Sequence, residues 1–318
     1  MGWLSLLLVL LLEQVRPVPA RNPVYAGAAW IADGAARNLN AGLPRHGVYA
    51  WLLVVGGATL ITAILYAFAI SVSWLLALAL NLVVLYFTLG FRQFSHPSTE
   101  IQIAIANGDL AAARRELTAW KGQSEEGYSA ADLEEHEVVR QAIEHGLLLA
   151  HRHVFGVFFW FVVLPGPMGP VFYRLADYVA RRWNRRAPGP LPADEFGSFA
   201  RKAFAWIDWA PARMTALGFA VVGDFEGAIY CWRKVKGVGG FPGVEARAVV
   251  LGAASGALGT RIMSTAESAR YFDEPGQEGA GLREPDKNTP RSVVGLVWRG
   301  LALWLILLFA LTLASWIT

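Results

Sequence analysis

The sequence predicts an all-α, polytopic integral membrane protein with about four spanning helices, a re-entrant or half-spanning element and a helical cytoplasmic module. Two observations carry this. Hydrophobic residues make up 55% of the 318 positions and charged residues only 17%, with a mean hydropathy of +0.38, which is too apolar for an ordinary soluble domain. The uncharged runs Tyr49–Ile70, Val72–Phe91 and Gly300–Thr318 each approach the roughly 20 residues that a spanning helix needs.

The first element is the apolar run Gly2–Leu12, which is short. No Lys or Arg precedes it, and Arg16-Pro17-Val18-Pro19-Ala20 lacks the small-residue pattern of a cleavage site. We read it as a retained first helix that extends past Glu13, its length accommodated by thinning or snorkelling. The stretch from Glu13 to Val48 carries Arg16, Arg21, Arg37 and Arg45, and reads as a cytoplasmic loop. The next two runs form a hairpin with Ser71-Val72-Ser73 as its outer turn, returning the chain to the cytoplasm at Arg92.

Thr99–His153 is soluble in character. Asn107-Gly108 breaks one amphipathic helix and Asp109 caps the next, Leu110–Trp120. Ser129-Ala130-Ala131-Asp132 resembles a capping box, and the helix it opens runs through Glu144 to the membrane edge. Val154–Tyr173 is uncharged but interrupted by Pro165-Gly166-Pro167-Met168-Gly169-Pro170. A single crossing here would put Arg181, Arg182, Arg185, Arg186, Arg201 and Lys202 outside, against the positive-inside rule. A dip and return keeps them cytoplasmic, and the Pro/Gly cluster supplies the turn. Ala187–Leu191 reads as a linker, and Gly237–Gly243 as a Gly-rich loop. Phe196–Arg213 and Met214–Val222 read as interfacial helices broken at Asp208 and Pro211, and Ala248–Gly259 as a closely packed small-residue helix. Arg270–Arg291 reads as an exposed polar loop. The resulting division is 1–93 membrane helices, 94–153 cytoplasmic module, 154–260 re-entrant and interfacial core, 261–297 polar loop and 298–318 terminal transmembrane helix.

Several chemistries are excluded or demoted. Cys231 is the sole cysteine, so no intrachain disulfide forms. His136-Glu137-Val138-Val139-Arg140 falls short of the zinc-protease helix, because Arg140 stands where the second His must be. A helix-surface set of salt bridges among His136, Arg140 and Glu144 is the better reading. His151-Arg152-His153 reads as a basic anchor at headgroup level. Lys234, Lys236 and Gly237-Val238-Gly239-Gly240 lack the closing Lys and Ser/Thr of a phosphate loop. The net charge of +3 is spread over loops flanking apolar runs, so nucleic acid is not an expected partner. No metal site is expected, and no catalytic residue is assigned.

The charges Asp208 and Arg213, beside an apolar background, mark a functional candidate, since charge at membrane depth is costly. Glu144, Arg174, Asp177, Asp208 and Arg213 flank apolar runs at similar depth and form the candidate ligand-binding face. The expected partners are the lipid bilayer, an anionic small molecule, and a membrane protein or second copy of the chain.

Trp209-Ala210-Pro211-Ala212-Arg213-Met214-Thr215-Ala216-Leu217 with Gly223-Asp224 and Gly227-Ala228, together with Arg21-Asn22-Pro23-Val24, Leu89-Gly90-Phe91-Arg92, Asn107-Gly108-Asp109-Leu110, Ala113-Arg114, Phe158-Phe159-Trp160, Gly166-Pro167, Tyr173-Arg174, Pro242-Gly243-Val244-Glu245-Ala246, Gly252-Ala253 and Gly259, resembles the CobD/CbiB family of cobalamin assembly and its AmpE-like relatives. The resemblance spans nearly the whole chain and implies a bacterial inner-membrane protein with its main loops cytoplasmic. It also implies an enzyme that joins adenosylcobyric acid to an aminopropanol-type amine as an amide, with ATP and Mg as cofactors if that activity is retained. The family's Gly-Arg-Asp-Thr element is here Gly122-Gln123-Ser124-Glu125. Its Glu-rich helix keeps Glu144, but Leu148, Leu149 and Arg152 replace its other polar residues, and Asp177 stands where Asn is typical. These departures point to the AmpE-like branch, with a ligand- or partner-binding role in signalling or as an accessory. The amide-forming enzyme is the alternative.

Overall fold

The computed structural model is built of helices among its described residues. It describes residues 2–16, 22–40, 43–123, 125, 127–184, 195–236, 243–272 and 281–317. The expected linker Ala187–Leu191 and most of the Gly-rich loop Gly237–Gly243 lie outside these residues, as do 273–280 of the expected polar loop.

The chain divides into two compact units, 1–90 with 152–211 and 91–151 with 212–318. The first unit opens with α1 (Gly2–Val15) and α2 (Pro23–Leu39). Asn22 caps α2, its side chain accepting from the Tyr25 amide, and Pro23 follows at the first helical position. A helix thus fills much of the stretch expected as a loop after Glu13. α3 (Pro44–Trp51), a π-helical turn (Leu52–Gly56) and α4 (Gly57–Val72) run on as one apolar helix, Arg45–Val72. Ser73 ends α4 and caps α5 (Trp74–Thr88), its hydroxyl accepting from the Leu75 amide. α1 and α4 both pack on α5.

The second unit begins with α6 (Phe91–Ala106) and α7 (Leu110–Gly122). Gly108 takes φ +74° at the break, and the Asp109 carboxylate accepts from the Ala112 amide, as the sequence requires. α8 (Glu135–Ala150) starts later than the expected capping box, with no side-chain cap. α8 continues through a π-helical turn (His151–Phe155) into α9 (Gly156–Val163), so Glu135–Val163 is one helix of 29 residues. Among the described residues three helices are therefore long and apolar enough to cross a membrane: Arg45–Val72, Glu135–Val163 and Thr289–Ala314. α1 and α5 are shorter apolar helices, as is Ala246–Leu258. The span Glu135–Val163 crosses the boundary between a soluble helix and a membrane element drawn at His153, because nothing at 151–155 breaks the helical backbone.

In the first unit, α9 turns at Leu164–Pro167 into α10 (Met168–Arg182), which packs back on it. Gly166 has φ +64° in this turn. A Cβ on Gly169 would lie 2.0 Å from the Trp160 carbonyl oxygen, so the hairpin closes only with glycine there. α11 (Ser198–Val222) is a single 25-residue helix containing Pro211, not two broken pieces. In the second unit α12 (Phe225–Lys236) and α13 (Gly243–Leu258) pack along a small-residue seam, followed by α14 (Thr265–Phe272) and α15 (Thr289–Ile317). A Cβ on Gly256 would meet the Gly227 carbonyl at 2.0 Å, and one on Gly223 would meet Ala257 at 2.7 Å. Gly223, Gly227 and Gly256 are thus close-approach positions along this seam.

Candidate functional site

Charged side chains in the first unit converge on the α9–α10 hairpin. Asp177, on α10, is wholly buried. Arg181, one turn later, meets both of its carboxylate oxygens at 3.1 and 2.6 Å. Arg174, one turn earlier, reaches it at 3.4 Å, and Arg152, from the turn before α9, lies 4.0 Å away. Burial by itself would raise the Asp177 pKa, but Arg181, Arg152 and Arg174 together hold it well below the usual carboxylate range. His153 is buried beside this group, and its Nδ1 has no hydrogen-bond partner among the described residues. His151, in the second unit, is also buried and pairs with the Thr215 hydroxyl at 2.9 Å. The expected headgroup anchor is therefore interior at both histidines.

Asp208 is buried and accepts a hydrogen bond from the Tyr173 hydroxyl at 2.7 Å. Tyr173 packs against Gly156, where a Cβ would come within 2.3 Å of its ring. Nearby, Pro211 lacks the amide that would pair with the Ile207 carbonyl. The Trp160 indole donates to that carbonyl at 3.3 Å, so the proline sits in α11 without leaving an orphaned acceptor. Arg182 makes a bidentate pair with Asp33 at 2.8 Å on both branches, tying α10 to α2.

Glu144 belongs to a separate network in the second unit. It accepts from Arg140 at 2.8 Å and from Arg247 of α13. Arg247 also donates to Glu267 of α14 at 2.6 Å, while Arg140 holds Glu137 and the Ile262 carbonyl. Arg140 is buried rather than on a helix surface, and His136 pairs with Glu134 instead of joining it. Arg213 is half-buried on α11 in the second unit.

Of the five residues singled out from sequence, Arg174 and Asp177 are direct partners, and Asp208 shares their unit. Glu144 and Arg213 fall in the other unit. Sequence reasoning missed Arg181, although its spacing from Asp177 is the ordinary helical ion-pair interval. It also missed Arg247, which meets Glu144 only through tertiary packing, and Glu267, which shares Arg247 with it. No group of three His, Cys, Asp or Glu suited to a metal occurs among the described residues.

Fold and site thus define an all-helical membrane protein whose buried carboxylates are held by arginines and a tyrosine. The family described as CobD/Cbib protein matches residues 6–297, and the chain belongs to it. It is 28% identical over 310 residues to the Cobalamin biosynthesis protein CobD of Stutzerimonas stutzeri (strain A1501), covering 96% of each chain. It is 30% identical over 260 residues to the Cobalamin biosynthesis protein CobD of Chromobacterium violaceum, covering 80% of this chain and 79% of that one. No solved structure matches.

Proposed function

We propose that this chain acts in cobalamin biosynthesis at the bacterial inner membrane, joining a corrinoid carboxylate to an aminopropanol-type amine as an amide. The observation that supports this most is the relation to two proteins named for cobalamin biosynthesis, one of them covering 96% of this chain. That relation favours the enzyme over the AmpE-like role that the substitutions at Leu148 and Leu149 suggested.

In this reading the new C–N bond replaces a carboxyl C–O bond. ATP supplies the activation, carrying away the departing oxygen. The chain's own contribution is positioning. Arg152 and Arg174 meet anionic groups at the hairpin, and the Tyr173–Asp208 pair fixes the adjoining wall. Asp177 and Glu144 each face guanidiniums, so neither fits a magnesium ion, and no step is assigned to one.

The AmpE-like binding role stands second. It is favoured by Glu144 being engaged by two arginines and by the apolar Leu148 and Leu149 beside it on α8. The test is direct: purified full-length chain incubated with cobyric acid, the amine and ATP, followed by mass spectrometry. The amide product is expected. Its absence from folded protein, with bound corrinoid retained, supports the binding role.

A further inference from the structure

We propose that the exposed arc of α2 is a membrane-surface anchor, seated at the boundary between anionic phospholipid headgroups and acyl chains. The inference is independent of the reaction above and concerns a stretch whose sequence reads as a loop.

Helical spacing defines the arc. Val24, Gly27, Trp30, Ile31, Gly34 and Arg37 recur at intervals of three or four residues along one side of α2. Trp30 is 73% exposed, Ile31 51% and Val24 46%. A Cβ on Gly27 or Gly34 would meet nothing within 4 Å. The opposite side is held by protein. Ala32 and Ala35 are buried, the Tyr25 hydroxyl donates to the Phe87 carbonyl at 2.9 Å, and the Trp183 indole donates to the Ala32 carbonyl at 3.0 Å. Tryptophan, with an apolar body and one N–H, favours the membrane–water boundary.

Two hydrogen bonds set the level of α2. The Tyr86 hydroxyl donates to the carbonyl of Arg16, just past α1, at 3.0 Å. Tyr25 joins the first turn of α2 to Phe87 in the last turn of α5. The start of α2 therefore lies where two apolar helices end. With 14 and 15 residues, α1 and α5 extend only about 21–23 Å, short of a hydrocarbon core of about 30 Å. The apolar arc of α2 adds lipid-facing surface just beyond their ends.

Charge selects the headgroup. Arg16 precedes α2, Arg37 lies in its last turn and Arg45 opens the next span, and all three are exposed. The acids nearby are turned inward: Glu13 is buried, and Arg182 holds Asp33 at 2.8 Å on both branches. Basic side chains at a leaflet surface favour anionic lipid, their stems lying along apolar surface. α2 thus takes the headgroup role expected of His151-Arg152-His153, whose histidines are interior.

The test uses the full chain carrying Cys231→Ala, in nanodiscs of mixed phosphatidylcholine and phosphatidylglycerol. A bimane label on Trp30→Cys is read with one lipid or the other brominated near the headgroup end of its chains. Quenching by both is expected, stronger for brominated phosphatidylglycerol. Arg37→Gln should cut that preference about fivefold, and Arg37→Lys should restore it. Trp30 and Arg37 are exposed, so these variants keep the fold; Val24→Cys gives a second label site. A label quenched by aqueous iodide and by neither lipid leaves the face in water and overturns the proposal. A label shielded from iodide and from both lipids marks a protein partner or a second copy, and overturns it too. Equal quenching by the two lipids, or a preference indifferent to Arg37→Gln, overturns the assignment to anionic lipid.

Discussion

The indole N–H of Trp160 donates to the carbonyl of Ile207, the acceptor that Pro211 leaves without an amide four residues on. A proline inside a long helix is thereby matched by a hydrogen bond from another helix. Trp160→Phe should cost about 1–3 kcal/mol by orphaning that carbonyl. Adding Pro211→Ala, which restores the helical amide, should recover part of the loss. Thermal unfolding of the single and double variants in detergent checks this, and strict additivity would refute the coupling.

Gly156 is the platform on which Tyr173 lies. Gly156→Ala should push the Tyr173 ring away from Asp208 and destabilise the protein by about 2 kcal/mol. Tyr173→Phe removes the same hydrogen bond and should cost a similar amount. Phenylalanine still fills the space over Gly156, so Gly156→Ala should remain harmful in that background through the clash alone. A neutral Gly156→Ala would show that the contact yields easily.

Asp177 predicts an acid limb to stability. Its folded-state pKa is depressed by Arg181, Arg152 and Arg174, against an unfolded value near 3.9. The contribution is therefore complete above about pH 5 and declines as pH falls toward the folded value. Asp177→Asn should cost about 3 kcal/mol at pH 7 by leaving three guanidiniums without their shared anion. It should also flatten the decline between about pH 5 and pH 3. Melting curves across that range decide it; equal slopes for both proteins would contradict the assignment.

Arg247 links Glu144 to Glu267, joining α8, α13 and α14. Its side chain is 34% exposed, so solvent weakens the pairs, and Arg247→Gln should cost only about 1 kcal/mol. Hydrogen exchange should rise in α14, the shortest of the three helices. Unchanged protection there would mean the ion pairs do not hold it.

The sequence made the helical membrane architecture legible because apolar runs, Asp109, Ser73 and the Pro/Gly turn at 164–167 are local signals. It missed α2, although Asn22-Pro23 is a readable helix start, because its uncharged run Pro23–Ala32 is too short to span and lies among arginines that read as a loop. Pro211 suggested a break because its compensating donor, Trp160, lies 51 positions away in sequence. Asp177 and Asp208 were legible as costly charges. Their partners divided by distance along the chain: Arg174 and Arg181 share a helix with Asp177, whereas Arg152 reaches it only through the hairpin. Glu144 stood out for the same reason as the aspartates, but Arg247 and Glu267, which determine its setting, are separated from it by more than a hundred residues.

The most direct test of the proposed activity is complementation of a cobalamin-synthesis mutant that lacks its own CobD/CbiB enzyme, supplied with cobyric acid and the amine. Growth is the predicted result, lost with Asp208→Asn or Arg174→Gln variants that still insert into the membrane. No growth from a verified, membrane-inserted wild-type chain would contradict the amide-forming function.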